Sequence, residues 1–325
     1  MSLPALTVHA YDLVTGAHIA RIPYGSCTWG DSINEPGDMT VSIPLSSITD
    51  SMERAGKGIY ATLRPWRAIL AVQRGPDHVL HAGPVTSRTW DPVGLRLSLT
   101  CGGGWTLLGK RLVLNHGLDT AFRDGDVLID EEHPAGPWLL ALKGSYRDIA
   151  RGLVAEALKW GALPISLPAV EGGPYERNYG GYDLATVSDR LSELADTENG
   201  DEIRFTPRVD ADGRLTFLLE SEPEIIHHKW SFNATLPGQR IYFTQYGEDG
   251  GGFTSDVWAV GGKDDDKTVM ARRRGSTLTG AGYPAMQTAN KDHTTVSVLS
   301  TLQQYAAAQL AAGGHVQETF ALKIG

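Results

Sequence analysis

The sequence predicts an α+β protein that is predominantly antiparallel β, with two β domains on either side of a small helical or mixed insert. Alternating polar and apolar runs occupy both ends of the chain, and two stretches with helical spacing occupy the middle. The 38 glycines and 17 prolines are spread over all 325 residues, which indicates many turns and short strands. We expect a first β domain over residues 1–118, an insert over 119–200, and a second β domain with a late helix over 201–325.

The first segment reads as strands in hairpin order. "LTVHAYDLVTGAHIARIP" has two alternating runs around Thr15 and Gly16, which is typical of a hairpin. Further strand pairs turn at residues 75–77 and at Asp91 and Pro92, so six or seven antiparallel strands are expected. In "DMTVSIPL" the apolar residues that share one face are Met39, Val41, Ile43 and Leu45.

The middle segment has two predicted helices. "GSYRDIARGLVAEALKWG" has helical spacing, a capping box of Ser145 and Asp148, and a stop at Gly161. The second helix lies in "YDLATVSDRLSELADTENG", with Asp183 as its expected cap. Its expected apolar stripe is Leu184, Val187, Leu191 and Leu194. The intervening "ALPISLPAVEGGPYERNYGG" is predicted to be a loop.

The last segment returns to strands. A hairpin is expected to turn at residues 210–213, and two more strands should lie across the glycine-rich turn of "QYGEDGGGFTSDVW". A late helix in "STLQQYAAAQLAAGG" and a final strand in "HVQETFALKIG" complete the chain. The apolar side of that helix is Leu302, Tyr305, Ala306 and Leu310.

Composition narrows the classes of function. The net charge of −9 argues against a protein built to grip nucleic acid, because that affinity comes from Lys and Arg at the phosphates. The N-terminus lacks the pattern of a signal peptide, and no stretch approaches the roughly 20 apolar residues of a membrane span. Cys27 and Cys101 have no metal-binding spacing, so two buried, reduced thiols are expected rather than a disulfide.

The run "CGGGWTLLGKR" has the spacing of a P-loop up to Lys110, and "DVLIDEE" downstream could supply an acidic strand. Arg111 stands where a magnesium-binding Ser or Thr belongs. Trp105 and the two leucines after Thr106 are too bulky to wrap a phosphate. We therefore predict a bend in a β framework, with Trp105 buried and no phosphate at Lys110.

Other chemical motifs fail in similar ways. A calcium-binding loop would place Asp212 and Gly213 at its fifth and sixth positions. Its first and twelfth positions would then be Arg208 and Leu219, and neither residue can bind calcium there. If the adjacent His227 and His228 lie in a strand, they would face opposite sides, so a metal-binding pair is not expected. No protease, hydrolase or paired-carboxylate pattern is recognised, so we predict no enzyme activity, no cofactor and no metal.

Two sets of residues remain as candidate interaction loops. Tyr175, Tyr179 and Tyr182 form an aromatic cluster that could bind host carbohydrate. Arg272, Arg273 and Arg274 in "ARRRG" could form an interface edge, although a solvated surface explains them more simply.

Several segments resemble the minor tail proteins of actinobacterial siphophages, of the baseplate or tail hub type. They are the opening "VHAYDLVTGAHIARIPYGSCTWGDSINEPGDMTVSIPL", "ILAVQRGPDHVLHAGPVTSRTW", "LSLTCGGGWTLLGKR", "SDVWAVGG" and "GYPAMQTANKDHTTVSVLSTLQQYAAAQLAA". The resemblance covers most of the chain, least clearly residues 112–180. It implies two tail-tube-like β-barrel or sandwich domains per subunit and a trimeric ring that continues the tail tube.

The resemblance also implies partners and a location. A hub of this kind would contact the distal tail protein, the tape-measure protein and other tail-tip or receptor-binding proteins. DNA would pass through its lumen only in transit, without stable membrane insertion. The protein would be located at the tail tip of the virion, after assembly in the bacterial cytoplasm. Alternatives are a hexameric distal tail protein, a tail-associated cell-wall hydrolase and a carbohydrate-binding tip protein.

Overall fold

The computed structural model describes residues 5–47, 58, 62–76, 78–121, 139–227, 241–264, 267–291, 293, 296 and 298–324. For some of these, including Tyr182, only the backbone is described. The strands are β1 Leu6–Asp12, β2 His18–Ile22, β3 Ser26–Gly30, β4 Asp38–Pro44, β5 Ala68–Arg74, β6 Val79–Asp91, β7 Arg96–Gly102, β8 Leu139–Gly144, β9 Ile165–Ser166, β10 Tyr175–Gly180, β11 Glu202–Val209, β12 Leu215–Glu222, β13 Ile241–Asp249, β14 Asp256–Asp264, β15 Lys267–Arg274, β16 Gln287–Asn290 and β17 Gln317–Ile324. The α-helices are α1 Tyr146–Lys159, α2 Val187–Ala195, α3 Thr277–Gly280 and α4 Leu299–Gly313. Short 3₁₀ helices span Leu45–Ser47, Gly104–Lys110, His116–Ala121 and Gly181–Asp183.

The strands pair mainly in the antiparallel sense. Within the described ranges, the parallel pairs are β12 with β9 and β14 with β16. Neighbouring strands in sequence are joined by short turns, which favours antiparallel pairing because a parallel pair needs a crossover. The predicted α+β class, predominantly antiparallel, is confirmed.

The chain divides into two compact units. The first contains Met1–Ala195 and Asp201–Ile225, and the second contains Asp196–Gly200 and Ile226–Gly325. The β11–β12 hairpin therefore lies in the first unit, whereas the sequence grouped it with the C-terminal domain. The predicted domain boundaries after residues 118 and 200 stay predictions.

A seven-stranded antiparallel sheet dominates the first unit, in the order β2-β1-β5-β6-β7-β4-β3. The hairpins expected from the sequence are present, and the first turns at Gly16, whose φ of 67° suits glycine. The register of β6 shifts between Val85 and Ser87 where it meets β7, a bulge that bends the strand. Residues 79–84 of β6 pair with β5 and residues 85–91 pair with β7, so the bulge lies where the strand changes partner.

One face of the sheet is buried along its length, and the other is covered only in part. The predicted inward residues of β4, Met39, Val41 and Ile43, are fully buried and belong to a cluster on one face. The other face contributes Ile69 and Ala71 to a second cluster, which also contains residues of α1, α2, β11 and β12. Leu45 lies outside the residues whose side chains are described.

The first turn of α1 has the predicted capping box. Ser145 accepts a hydrogen bond from the Asp148 N–H at 3.1 Å, and Asp148 accepts one from the Ser145 N–H at 3.3 Å. The Asp148 carboxylate also accepts the N–H groups of Glu171 and Gly172, at 3.1 and 2.7 Å. Burial acts to raise the pKa of Asp148, but these hydrogen bonds outweigh it and hold the pKa below its ordinary value.

Replacing Asp148 with alanine is expected to lower the free energy of unfolding by about 1–2 kcal/mol at pH 7, because it removes the cap of α1 and the tie to residues 171–172. The folded pKa lies below the unfolded one, so this contribution is present above about pH 4 and is lost as the pH falls through the folded pKa. Urea denaturation at pH 7 and near pH 3 measures both effects. Asp212→Ala, at an exposed turn, is the control and should change stability by less than about 0.5 kcal/mol. An Asp148→Ala effect that does not depend on pH would contradict this account.

The second helix begins later than the sequence suggested. Its cap is Thr186, whose hydroxyl accepts the Asp189 N–H at 3.1 Å, while Asp189 accepts the Thr186 N–H at 3.3 Å. The expected cap, Asp183, instead binds the guanidinium of Arg190 at 3.3 Å. Leu184 is 61% exposed with a φ of 49°, so it lies outside the helix and its buried stripe.

Both cysteines are free, as the sequence predicted, although only Cys101 is fully buried and Cys27 is half-buried. Burial raises the pKa of Cys27 to about 11 and raises that of Cys101 further. Thiols with a raised pKa react slowly, because the thiolate is the nucleophile and little of it is present near neutral pH.

The second unit contains a three-stranded sheet, β15-β14-β16, and a two-stranded sheet, β13-β17. The predicted strands on either side of the glycine-rich turn, β13 and β14, form, but they belong to different sheets. Helix α4 packs Leu302 and Ala306 against Val257 and Ala259 of β14, as its predicted apolar side requires. Among the described helices, none is long and apolar enough to span a bilayer.

Candidate functional site

The P-loop-like run forms a 3₁₀ helix, Gly104–Lys110, directly after β7. Trp105 is 2% exposed, and its indole N–H donates to the Ser188 hydroxyl at 2.7 Å. Its ring meets Phe205 edge to face, with centroids 5.7 Å apart. The predicted bend with a buried Trp105 is confirmed, while "DVLIDEE" lies outside the described residues.

Arg111 has a structural role that the motif comparison did not suggest. Its guanidinium donates to the carbonyl oxygens of Trp160 and Gly161, at 3.3 and 3.2 Å. These carbonyls lie at the C-terminal end of α1, where helices leave carbonyls without internal partners and a positive charge is favourable. The residue that breaks the P-loop pattern therefore caps a helix.

Next to this run lies a cleft with a volume of about 150 Å³. It is formed by the loop before β4, the first residues of β6, the end of β7 and strand β11. Its lining residues are Asp31, Ser32, Glu35, Gly37, Val79, Leu80, Ala82, Gly103, Gly104, Trp105, Arg204, Phe205, Thr206 and Pro207. The floor of the cleft consists of apolar and aromatic side chains, and the charged side chains lie at its rim.

One wall of the cleft is fixed by Asn34, which has a φ of 65°. The Asn34 N–H donates to the Ile203 carbonyl at 3.0 Å, and the Ile203 N–H donates to the Asn34 side-chain oxygen at 2.7 Å. Asparagine tolerates this left-handed backbone better than most residues. The loop of residues 31–37 is thereby tied to β11 as if it were a short strand.

The charges of the cleft are unevenly compensated. Arg204 is paired with Glu220 at 2.7 Å, and Thr206 also donates to that carboxylate. Burial acts to raise the pKa of Glu220, but hydrogen bonds from Thr206 and Arg204 outweigh it and lower the pKa. Asp31 contacts the buried His81 ring at 2.5 Å, and Glu35 is exposed at the rim. The rim therefore presents carboxylates to solvent.

The predicted tyrosine cluster lies on a strand, β10, and not on a loop. Tyr175 stacks on Tyr146 with ring centroids 4.1 Å apart, and the Arg190 guanidinium lies 6.0 Å from the Tyr179 centroid. Both tyrosines are half-buried and pack against the core. The side chain of Tyr182 lies outside the described residues, so its part in a carbohydrate site stays a prediction.

The predicted arginine cluster lies on β15, at an edge of its sheet. Arg272 binds the Asp256 carboxylate through two nitrogens, at 2.7 and 2.5 Å, and lies 4.5 Å from the Trp258 ring centroid. The side-chain hydrogen bond from Arg272 is the main cause of the strongly lowered pKa of Asp256. Arg273 and Arg274 are exposed, so these two remain the candidates for an interface.

A further exposed feature, not predicted from the sequence, is the tip of the β6–β7 hairpin. Here Trp90, Val93 and Leu95 are 44%, 93% and 67% exposed. Their apolar character is visible in "TWDPVGL", but the segment was interpreted only as a turn. A solvent-exposed group of this kind often marks an interaction site.

Within the part of the chain that the structure describes, no three or more His, Cys, Asp or Glu side chains are placed to hold an ion.

Comparison with known proteins gives similar structures but no family assignment. No protein-family model and no curated protein matches the chain. One similar structure is a tail protein from Neisseria meningitidis, with a TM-score of 0.49, 16% identity, and coverage of 97% of this chain and 80% of that one. Another is the 43 kDa tail protein of prophage MuSo2 from Shewanella oneidensis, with a TM-score of 0.44, 10% identity, and coverage of 97% and 81%.

A third is a prophage tail protein from Listeria monocytogenes, with a TM-score of 0.43, 8% identity, and coverage of 91% and 76%. Likeness at this level does not by itself assign a function to the chain.

Proposed function

We propose that this chain is a structural protein of a long-tailed phage, a hub subunit that forms a ring at the tail tip and continues the tail tube. The observation that carries the proposal is that the seven-stranded sheet of the first unit ends in two edge strands. These strands, β2 and β3, are the first and last in its strand order. The resemblance of the sequence segments to siphophage hub proteins supports the same function.

Edge strands matter because they can expose unpaired backbone N–H and C=O groups. In β2, His18, Ile19 and Arg21 are exposed, and in β3, Ser26 and Thr28 are exposed. Native proteins cover such edges or pair them with another chain. Pairing β2 of one copy with β3 of the next is a heterologous contact, which closes into a ring when the rotation between subunits is suitable.

The charge of the chain supports a conduit. A lumen that passes DNA should not bind phosphate strongly, since each basic contact adds salt-dependent affinity. The net charge of −9 fits that requirement. The proposed trimer would contact the distal tail protein, the tape-measure protein and receptor-binding proteins in the virion, with no catalytic role of its own.

Mass photometry of the purified protein tests this function. A trimer, three times the 35.1 kDa chain mass, is expected, and negative-stain images should show rings. A hexamer would favour the distal tail protein instead. A monomer at every concentration, together with absence of the chain from purified tail particles, would overturn the proposal.

A further inference from the structure

The β6–β7 hairpin places two complementary surfaces at its opposite ends. The cleft is lined by Val79, Leu80 and Ala82 at the start of β6 and by Gly103 just after β7. The apolar tip, residues 90–95, lies at the other end of the same two strands. Because the thirteen residues of β6 form an extended strand that rises about 3.3 Å per residue, its two ends lie roughly 40 Å apart along the strand. One copy therefore cannot place its own tip in its own cleft.

The tip is held in a fixed shape. The Asp91 carboxylate accepts the Gly94 N–H at 2.7 Å and pairs with Arg96 at 3.3 Å. An alanine at Gly94 would place its Cβ 2.2 Å from the Asp91 carboxylate, so the Asp91 side chain would have to move away from its present hydrogen bond. A rigid apolar group loses little entropy when it binds, which favours association.

The two surfaces match in size and in charge. The cleft has a volume of about 150 Å³, which is enough for one valine or leucine side chain. Val93 is the most exposed apolar side chain of the tip, at 93%. Arg88, Arg96 and Asp91 give the tip one net positive charge, with Arg96 paired to Asp91, whereas the carboxylates of Asp31 and Glu35 lie at the cleft rim. The two surfaces therefore differ in sign by a small net charge.

We propose that the tip of the β6–β7 hairpin of one copy inserts Val93 into the cleft beside Trp105 of a second copy, between the Asp31 and Glu35 carboxylates. The contact is heterologous, like the proposed pairing of β2 with β3, so both are compatible with a closed ring. The inference rests on the proposed ring of identical subunits and names a contact that holds it. A second copy is the favoured occupant because the chain itself supplies both surfaces.

Cysteine cross-linking tests the contact directly. Val93→Cys and Glu35→Cys proteins are prepared separately, mixed under exchange conditions and oxidised. A disulfide-linked dimer on a non-reducing gel is expected from the mixture, but from neither variant alone nor from the wild type. The matched control replaces Val93→Cys with Val170→Cys, whose valine is 66% exposed in the same unit and should give no dimer.

A second measurement uses the double variant Val93→Asp/Leu95→Asp. The concentration at which half of the oligomer dissociates should rise at least tenfold in this variant. The control Val170→Asp should leave that concentration unchanged. Circular dichroism confirms that both variants fold. If the wild type forms rings but the mixture gives no dimer and the double variant assembles normally, the contact is refuted while the proposed ring stands. If the wild type is monomeric throughout, both fail.

Discussion

Replacing Trp105 with alanine is expected to lower the free energy of unfolding of the first unit by about 3–5 kcal/mol. The side chain is 2% exposed and belongs to the core cluster that joins the sheet to α1, α2 and β12. Its removal leaves a cavity, loses the edge-to-face contact with Phe205, and leaves Ser188 without this donor. Urea denaturation followed by far-ultraviolet circular dichroism measures the change without relying on tryptophan fluorescence.

Two control variants separate the causes of this loss. Ser188→Ala removes only the hydrogen-bond acceptor and should cost about 1 kcal/mol. Trp90→Ala removes the same type of side chain at a position that is 44% exposed, and it should cost about 1 kcal/mol or less at concentrations where the protein is dissociated. Equal losses for Trp90→Ala and Trp105→Ala would contradict the assignment of Trp105 to the core.

The two glycines that suggested a P-loop should respond differently to alanine. At Gly104 the new Cβ would lie 2.6 Å from the Phe217 ring and 2.7 Å from the Phe205 Cβ, and Phe217 is fully buried. We expect Gly104→Ala to lower the free energy of unfolding by about 1–3 kcal/mol, because the packed core must shift to admit one methyl group. Thermal and urea denaturation of the purified variant give the value.

Gly109→Ala is the matched control in the same 3₁₀ helix. Nothing lies within 4 Å of its added Cβ, and its φ is not positive. Its expected effect is within about 0.5 kcal/mol of zero. Similar losses at both positions would mean that the loop needs glycine for its backbone path, as a phosphate-binding loop does, and would undermine the packing explanation of Gly104.

Local periodicity was sufficient to predict most of the elements. The alternation in β4 placed Met39, Val41 and Ile43 on a buried face, and the Ser145–Asp148 capping box marked the start of α1. Both signals depend on neighbouring residues alone, so a single sequence contains them. The antiparallel class followed from short turns between strands.

Contacts between residues that are far apart in the sequence could not be predicted in the same way. Asp183 looked like a helix cap because it precedes an apolar stripe, but the cap is three residues later and Asp183 pairs with Arg190. The candidate cleft was missed because Asp31, Trp105 and Arg204 come together only through sheet order and the Asn34–Ile203 hydrogen bonds. No periodic signal connects segments 70 or more residues apart.

The hydrogen bond from the Leu215 N–H to the Gly16 carbonyl, at 2.8 Å, has a consequence for biosynthesis. The first hairpin leaves the ribosome long before β12, and roughly 200 residues separate them at elongation rates of about 5–20 residues per second. After β7 is made, about 110 residues precede β12, so for roughly 5–20 seconds the nascent sheet lacks the β11–β12 hairpin that packs on Trp105 and Gly104. During that interval, polysomes that carry several copies bring uncovered sheets close together, so chaperone supply and translation rate should govern the yield of native subunits.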